Sequence, residues 1–192
     1  NEQDNRNYAK FAKVPMLEPG DSQDAYDLMA LAFDISERFD TPVLMRSTTR
    51  ISHSKSVVRI SGPRVVPDKQ LGFLRNPEKY VMLPTSARLR HPLIEERLVK
   101  LAAYAETFPF NEITWCGREL GIIASGIAYQ YAREVFPRAS FLKLSMTYPL
   151  PQILIGRFAA EVSKIIVIEE LDPFLQDNIR AMGIEVTGKE FI

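Results

Sequence analysis

Arg46, Thr48, Thr49, Arg50, Ser52 and His53 fall within one ten-residue stretch, MRSTTRISHS (45–54). Guanidinium groups among hydroxyls suit the recognition of a carboxylate or a phosphate. The imidazole of His53, one of only two histidines in the chain, exchanges protons near neutral pH. Polar residues after a strand are also ordinary loop chemistry, and both readings stay open at this point. No Ser/His/Asp triad can be argued, because the acids close by belong to helices.

A second cluster follows the apolar run Ile165–Ile168, where the chain continues directly into Glu169, Glu170, Leu171, Asp172 and Pro173. Carboxylates at a strand end can form a metal site, an acid/base pair or the start of a helix. Neither His nor Cys lies nearby to complete a metal set. Asp172-Pro173 fits an N-cap followed by proline at the first helical position, where the missing N–H costs nothing. The expectation is that Asp172 caps a helix, with Glu169 and Glu170 structural or interfacial. GIIASG (121–126) resembles the opening of a nucleotide-binding unit. It lacks the third glycine of GxGxxG and a following Lys-Ser/Thr, so a tight turn into a helix is expected instead.

Composition narrows the function classes. Apolar residues make up 46% of the 192, enough for a real core. Lys plus Arg and Asp plus Glu are 24 each, and no charge block suggests a nucleic-acid surface or a basic membrane patch. Cys116 is the single cysteine, so there is no disulfide framework and no iron–sulfur ligand set, which suits a reducing cytoplasm. The longest apolar runs fall short of the ~20 residues of a membrane helix. The opening NEQDNRNY carries no initiator Met and no signal-peptide pattern, and reads as cut from something longer.

The elements that must position these residues form two groups. VPMLEP (14–19) is a short strand stopped by Pro19-Gly20, and Asp21 or Ser22 then caps a helix. Tyr26, Met29, Ala30 and Phe33 recur along it at helical spacing. TPVLMRSTT (41–49) is the next strand, which makes a βαβ unit and a parallel sheet whose further strands should lie upstream. Pro63, Pro67, Pro77, Pro84 and Pro92 mark a connector. From about residue 93, LIEERLVKLAAYAETF is a helix, and EITWC and LGIIASG are strands, read as a hairpin across Gly117-Arg118. IAYQYAREVF (helix), SFLKLSM (strand), PQILIGRFAAEV (helix), KIIVIEE (strand), PFLQDNIRAM (helix) and IEVTG (strand) complete a doubly wound, mostly parallel α/β domain.

NEQDNRNYAKFAKVPMLEP, PVLMRSTTRISHS, GIIASGIAYQY, MTYPLP and VIEELDPFLQDNIRAMGIEVTGK together resemble the alpha subunit of indolepyruvate:ferredoxin oxidoreductase. Arg50-Ile51-Ser52-His53 is also similar to the Arg-Thr-Ser-His element of the wider 2-oxoacid:ferredoxin oxidoreductase superfamily. The resemblance implies that residues 1–60 are the C-terminal part of a thiamine-diphosphate pyrimidine-binding domain and 61–95 a connector. Residues 96–192 would be a transketolase C-terminal-like domain. It implies a parent enzyme that decarboxylates aryl-2-oxoacids oxidatively to acyl-CoA with coenzyme A and reduces ferredoxin. That parent would use thiamine diphosphate, Mg²⁺ and [4Fe–4S] clusters and work with a beta subunit. The activating glutamate would precede residue 1, and the diphosphate- and Mg²⁺-binding domain and cluster cysteines would follow residue 192. No cofactor or metal ligand is then expected within this stretch, which alone would be inactive. Gln3, Asp4 and Arg6 match the family's EQD-x-R segment, and Arg50 and His53 its second element, as possible active-site neighbours. The competing reading is a non-catalytic α/β binding or subunit-assembly module.

Overall fold

A computed structural model of the protein describes residues 3–60, 62, 72 and 75–191; Pro63 and Pro67 of the expected connector lie outside them. Helix α1 (Arg6–Ala12) ends where Lys13 turns left-handed. Strand β1 (Met16–Leu17) leads into α2 (Ser22–Phe39), whose first turn is capped by the Asp21 side chain accepting from the Asp24 N–H. Strand β2 (Leu44–Met45) pairs in parallel with β1, completing the expected βαβ unit. Short α3 (Thr49–His53) and α4 (Pro77–Tyr80) precede α5 (Pro84–Ala105). Helix α5 begins inside the expected connector, with Pro84 at its first position and Pro92 within it.

The remaining elements are β3 (Glu112–Thr114), β4 (Leu120–Ser125), α6 (Gly126–Val135), β5 (Ser140–Leu144), β6 (Met146–Tyr148), α7 (Gln152–Ala160), β7 (Lys164–Ile168) and α8 (Phe174–Ala181). One sheet has the order β3-β5-β4-β7, with β4 parallel to β5 and β7 and β3 antiparallel to β5. The hairpin expected across Gly117-Arg118 therefore does not form, because β3 pairs with β5 instead of with its neighbour in sequence. The expected last strand is reduced to a single bridge between Ile166 and Thr187.

Alternation along the strands explains how this sheet is covered. Ile122, Ala124 and Phe141 turn to one face and pack on Tyr129 and Ala132 of α6. Ile123, Leu142, Ile165 and Val167 turn to the other and pack on Phe158 of α7 and Leu175 and Ile179 of α8. That period of two is what a strand buried on both faces requires.

The second sheet has the order β2-β1-β6. Its third strand, β6, antiparallel to β1, is supplied by the second half of the chain. One extended segment thus serves both sheets, as β5 up to Leu144 and as β6 from Met146. At the switch the Asn111 carboxamide oxygen accepts from the N–H groups of Ser145 and Met146, at 2.9 and 3.0 Å. Leu28, Ala32 and Ile35 of α2, Leu101 and Ala105 of α5, and Phe108 cover this small sheet through Leu17 and Met146. Among the described residues no helix is long and apolar enough to cross a membrane.

Candidate functional site

Where the ends of β1, β2, β4, β6 and β7 meet, the structure buries a set of charged side chains. Glu18, one residue past β1, is 2% exposed. Its Oε2 accepts from Arg46 Nη1 at 2.8 Å and from Ser125 Oγ at 3.4 Å, and its Oε1 from Thr147 Oγ1 at 2.8 Å. The Glu18 N–H donates to the Ser145 carbonyl. Arg46, one residue past β2, also donates from Nε to Asn5 Oδ1 at 2.7 Å. One carboxylate therefore ties β1 to β2, β4 and β6. Gly126 lies beside it in a backbone conformation that favours glycine. At φ +55° this residue opens α6 in the left-handed region, and a Cβ there would lie 3.6 Å from Glu18 Oε2.

Arg6 forms a second buried centre, 1% exposed. Its Nε and Nη2 grip both oxygens of Asp4, at 2.5 to 3.1 Å, and its Nη1 donates to Glu169 Oε2 at 2.7 Å. Nη2 also reaches the carbonyls of Glu170 and Asp172. Only the planar fork of arginine can serve so many acceptors at once. Burial works against the charge of Arg6, but the bond to Asp4 and the charges of Glu18 and Glu169 outweigh it and raise its pKa. Burial likewise pushes Asp4 up, yet its bonds to Arg6 win and hold it below the usual carboxylate range. For Glu169 burial prevails, and its carboxyl is raised despite Arg6 and two backbone donors.

Those backbone donors correct an expectation. The residue that caps α8 is Glu169, whose two oxygens accept from the N–H groups of Leu175 and Gln176 at 2.8 and 2.9 Å. Asp172 makes no side-chain cap. Pro173 holds the position before the helix, and Leu171 at φ +58° redirects the chain so that the Asp172 side chain is exposed. Its backbone N–H donates to Asp4 instead. A fourth buried ion pair, Lys143 Nζ to Asp24 Oδ2 at 2.7 Å, lies nearby. Asp24 accepts as well from the Gly20 N–H. Every buried carboxylate of this cluster faces a cation. Among the described residues no group of three or more His, Cys, Asp or Glu is placed to hold a metal ion.

No family model matches the chain. The indolepyruvate oxidoreductase subunit IorA of Archaeoglobus fulgidus is 41% identical over 197 residues, covering 98% of this chain and 31% of the relative. The IorA subunits of Methanothermobacter thermautotrophicus and Pyrococcus horikoshii are 36% and 35% identical, covering 98% and 100% of the chain. Along almost its whole length the chain is similar to these IorA subunits of indolepyruvate oxidoreductases. It spans 31–32% of the length of these relatives. A solved 2-oxoglutarate:ferredoxin oxidoreductase from Magnetococcus marinus superposes with a TM-score of 0.61 at 16% identity, over 91% of this chain and 38% of that one. That likeness speaks for the fold alone.

Of the family-matched residues, the structure brings Asp4 and Arg6 into the buried cluster. Gln3 is exposed and accepts from the Tyr8 hydroxyl. Arg50 and His53 lie on α3, both exposed, and neither side chain makes a hydrogen bond or ion pair with another described residue. Two centres escape a reading by motif, Glu18 and Lys143. The signal for Lys143 was present, since a lysine inside the apolar run SFLKL must find a partner once the strand is buried. Glu18 gives no such sign, because an acid before Pro-Gly also suits an open turn.

Proposed function

We propose that the chain is part of a thiamine-diphosphate-dependent enzyme that oxidatively decarboxylates indolepyruvate and related aryl-2-oxoacids to acyl-CoA and reduces ferredoxin. The observation that carries this is the identity with the IorA subunits along almost the whole chain. In this reading residues 1–60 are the C-terminal part of a pyrimidine-binding domain, 61–95 a connector and 96–192 a transketolase C-terminal-like domain. The partners of the whole enzyme are a beta subunit, ferredoxin and coenzyme A, in a cytoplasmic setting, and its electrons pass through [4Fe–4S] clusters.

The residues present do not fit a bound diphosphate and Mg²⁺. A divalent cation needs uncompensated oxygen ligands. Here Asp4 and Glu169 are taken by Arg6, Glu18 by Arg46, and Asp24 by Lys143. The cluster is better suited to holding strand ends and loops in place than to binding the cofactor. Exposed Arg50 and His53 remain free to meet a substrate or a neighbouring subunit.

Calorimetric titration of the 192-residue chain with thiamine diphosphate and Mg²⁺ tests the assignment. No saturable binding is expected, and micromolar binding would place the cofactor site within these residues. In the whole enzyme, assayed with indolepyruvate, coenzyme A and ferredoxin, His53→Ala and Arg50→Ala should lower kcat/KM. A whole protein inert toward 2-oxoacids would favour the assembly-module reading.

A further inference from the structure

Helix α2 is apolar on two opposite sides. One side buries Leu28, Ala32 and Ile35 against the three-stranded sheet. The other carries Tyr26, Met29 and Phe33, which are 38%, 47% and 68% exposed. Spacing of three and four residues aligns them in one stripe along the helix. Pro109 and Phe110, just beyond α5, add a second wall, and a groove of about 790 Å³ runs between. Contiguous apolar surface of this kind, open to water, marks an interaction site on a folded protein.

Charge tells what fits there. Among the described residues Asp27 is the only charged one lining the groove, and Asp34 and Glu37 extend the acidic edge along the same helix. The helix has a single cation, Arg38, whose guanidinium lies over the Phe39 and Tyr104 rings. A second copy of the chain docked through this stripe would bring Asp27, Asp34 and Glu37 against the same acids, and like charges across an interface oppose association. We infer that the α2 groove receives an amphipathic helix of a partner polypeptide, with apolar residues at helical spacing flanked by Lys or Arg. Such a helix lays its apolar face along Tyr26, Met29 and Phe33 and its cations beside the acidic edge.

The test uses the 192-residue chain and two fluorescent synthetic peptides of 18 residues, the length of α2. Both carry leucines at helical spacing; one has lysine flanks and the other glutamate flanks. Anisotropy should show saturable binding of the lysine peptide, weakened by salt, with the glutamate peptide at least about tenfold weaker. Phe33→Ser should abolish that binding without moving the unfolding midpoint, since this side chain is largely in water, and Met29→Ser should abolish it as well. Asp27→Asn combined with Asp34→Asn and Glu37→Gln should erase the preference between peptides. Equal binding of the two peptides, no binding of either, or binding indifferent to Phe33→Ser overturns the inference. So does a concentration-dependent dimer, seen by sedimentation, that Phe33→Ser converts to monomer.

Discussion

Replacing Arg6 by methionine keeps the volume of a long side chain but leaves Asp4 and Glu169, both nearly inaccessible, without their common cation. Removing one partner of a buried ion pair costs about 3–5 kcal/mol, mostly as the penalty for the stranded charge. Glu169 keeps the Leu175 and Gln176 N–H groups, and Asp4 keeps the backbone N–H groups of residue 6 and Asp172. The lower end, about 3 kcal/mol, is therefore expected at neutral pH. With an m-value of about 2 kcal/mol/M, the urea midpoint should fall by roughly 1.5 M. Arg6→Lys should recover at most about half, because an ammonium keeps the charge but cannot span two carboxylates and two carbonyls. Circular dichroism in urea gives the midpoint. Hydrogen exchange at Leu175 and Gln176 reports whether the start of α8 loosens with it. A midpoint that falls by less than about 0.3 M in Arg6→Met would refute the view that this guanidinium holds the N-terminal segment to β7 and α8.

The capping reassignment predicts an order of effects. Glu169→Ala should destabilise by about 2 kcal/mol or more, through the lost cap and an unpaired Arg6, while Asp172→Ala should stay within about 0.5 kcal/mol; the reverse order in urea unfolding would restore Asp172 as the cap. Acid unfolding should separate the two carboxylates of Arg6. Asp4 has a folded pKa below its ordinary 3.8, so its contribution is present above that value and is lost as pH falls below it, and Asp4→Asn should flatten the acid limb there. Glu169, raised above its ordinary 4.5, acts in the opposite sense. Its contribution is complete below that pH and declines as pH rises through the folded value, so Glu169→Gln should remove a loss of stability on the alkaline side of 4.5. Stability curves of the two variants that run parallel to the parent's between pH 3 and 6, roughly the span of carboxylate titration, would contradict both directions.

How far the sequence could be read follows from the range of the forces involved. Local signals worked. The Asp21 cap, the 3.6-residue rhythm of α2 and the strands flanking it all depend on neighbours a few positions away. Pairing across the sheet did not, because nothing in EITWC or LGIIASG states that β3 prefers β5 to the adjacent β4. The exchange of Asp172 for Glu169 has the same origin. Asp-Pro is a sound local signature, but a left-handed Leu171 and an arginine more than 160 positions upstream decide which acid faces the helix. Proline density marked residues 61–95 as a connector without telling that a helix begins there, with Pro84 at its first position. The rhythm of Tyr26, Met29 and Phe33 correctly announced a helix without telling which of its two apolar sides meets the core.

The strand that changes sheets at Ser145 has a consequence for how this protein can be divided. Nine consecutive positions, Ser140 to Tyr148, run from one sheet into the other, so neither half owns a complete set of hydrogen-bonded edges. Excising residues 96–192 as a module would carry β6 away from β1 and uncover Met16 and Leu17, both now fully enclosed. The first 60 residues would be left as two strands of two residues each. Recombination or protein engineering that exchanges one half for a relative's must therefore carry over the complementary surface too, with Glu18, Arg46, Ser125 and Thr147 moved as a set. The pair is inherited as one mechanical body, whatever the chain between the halves does.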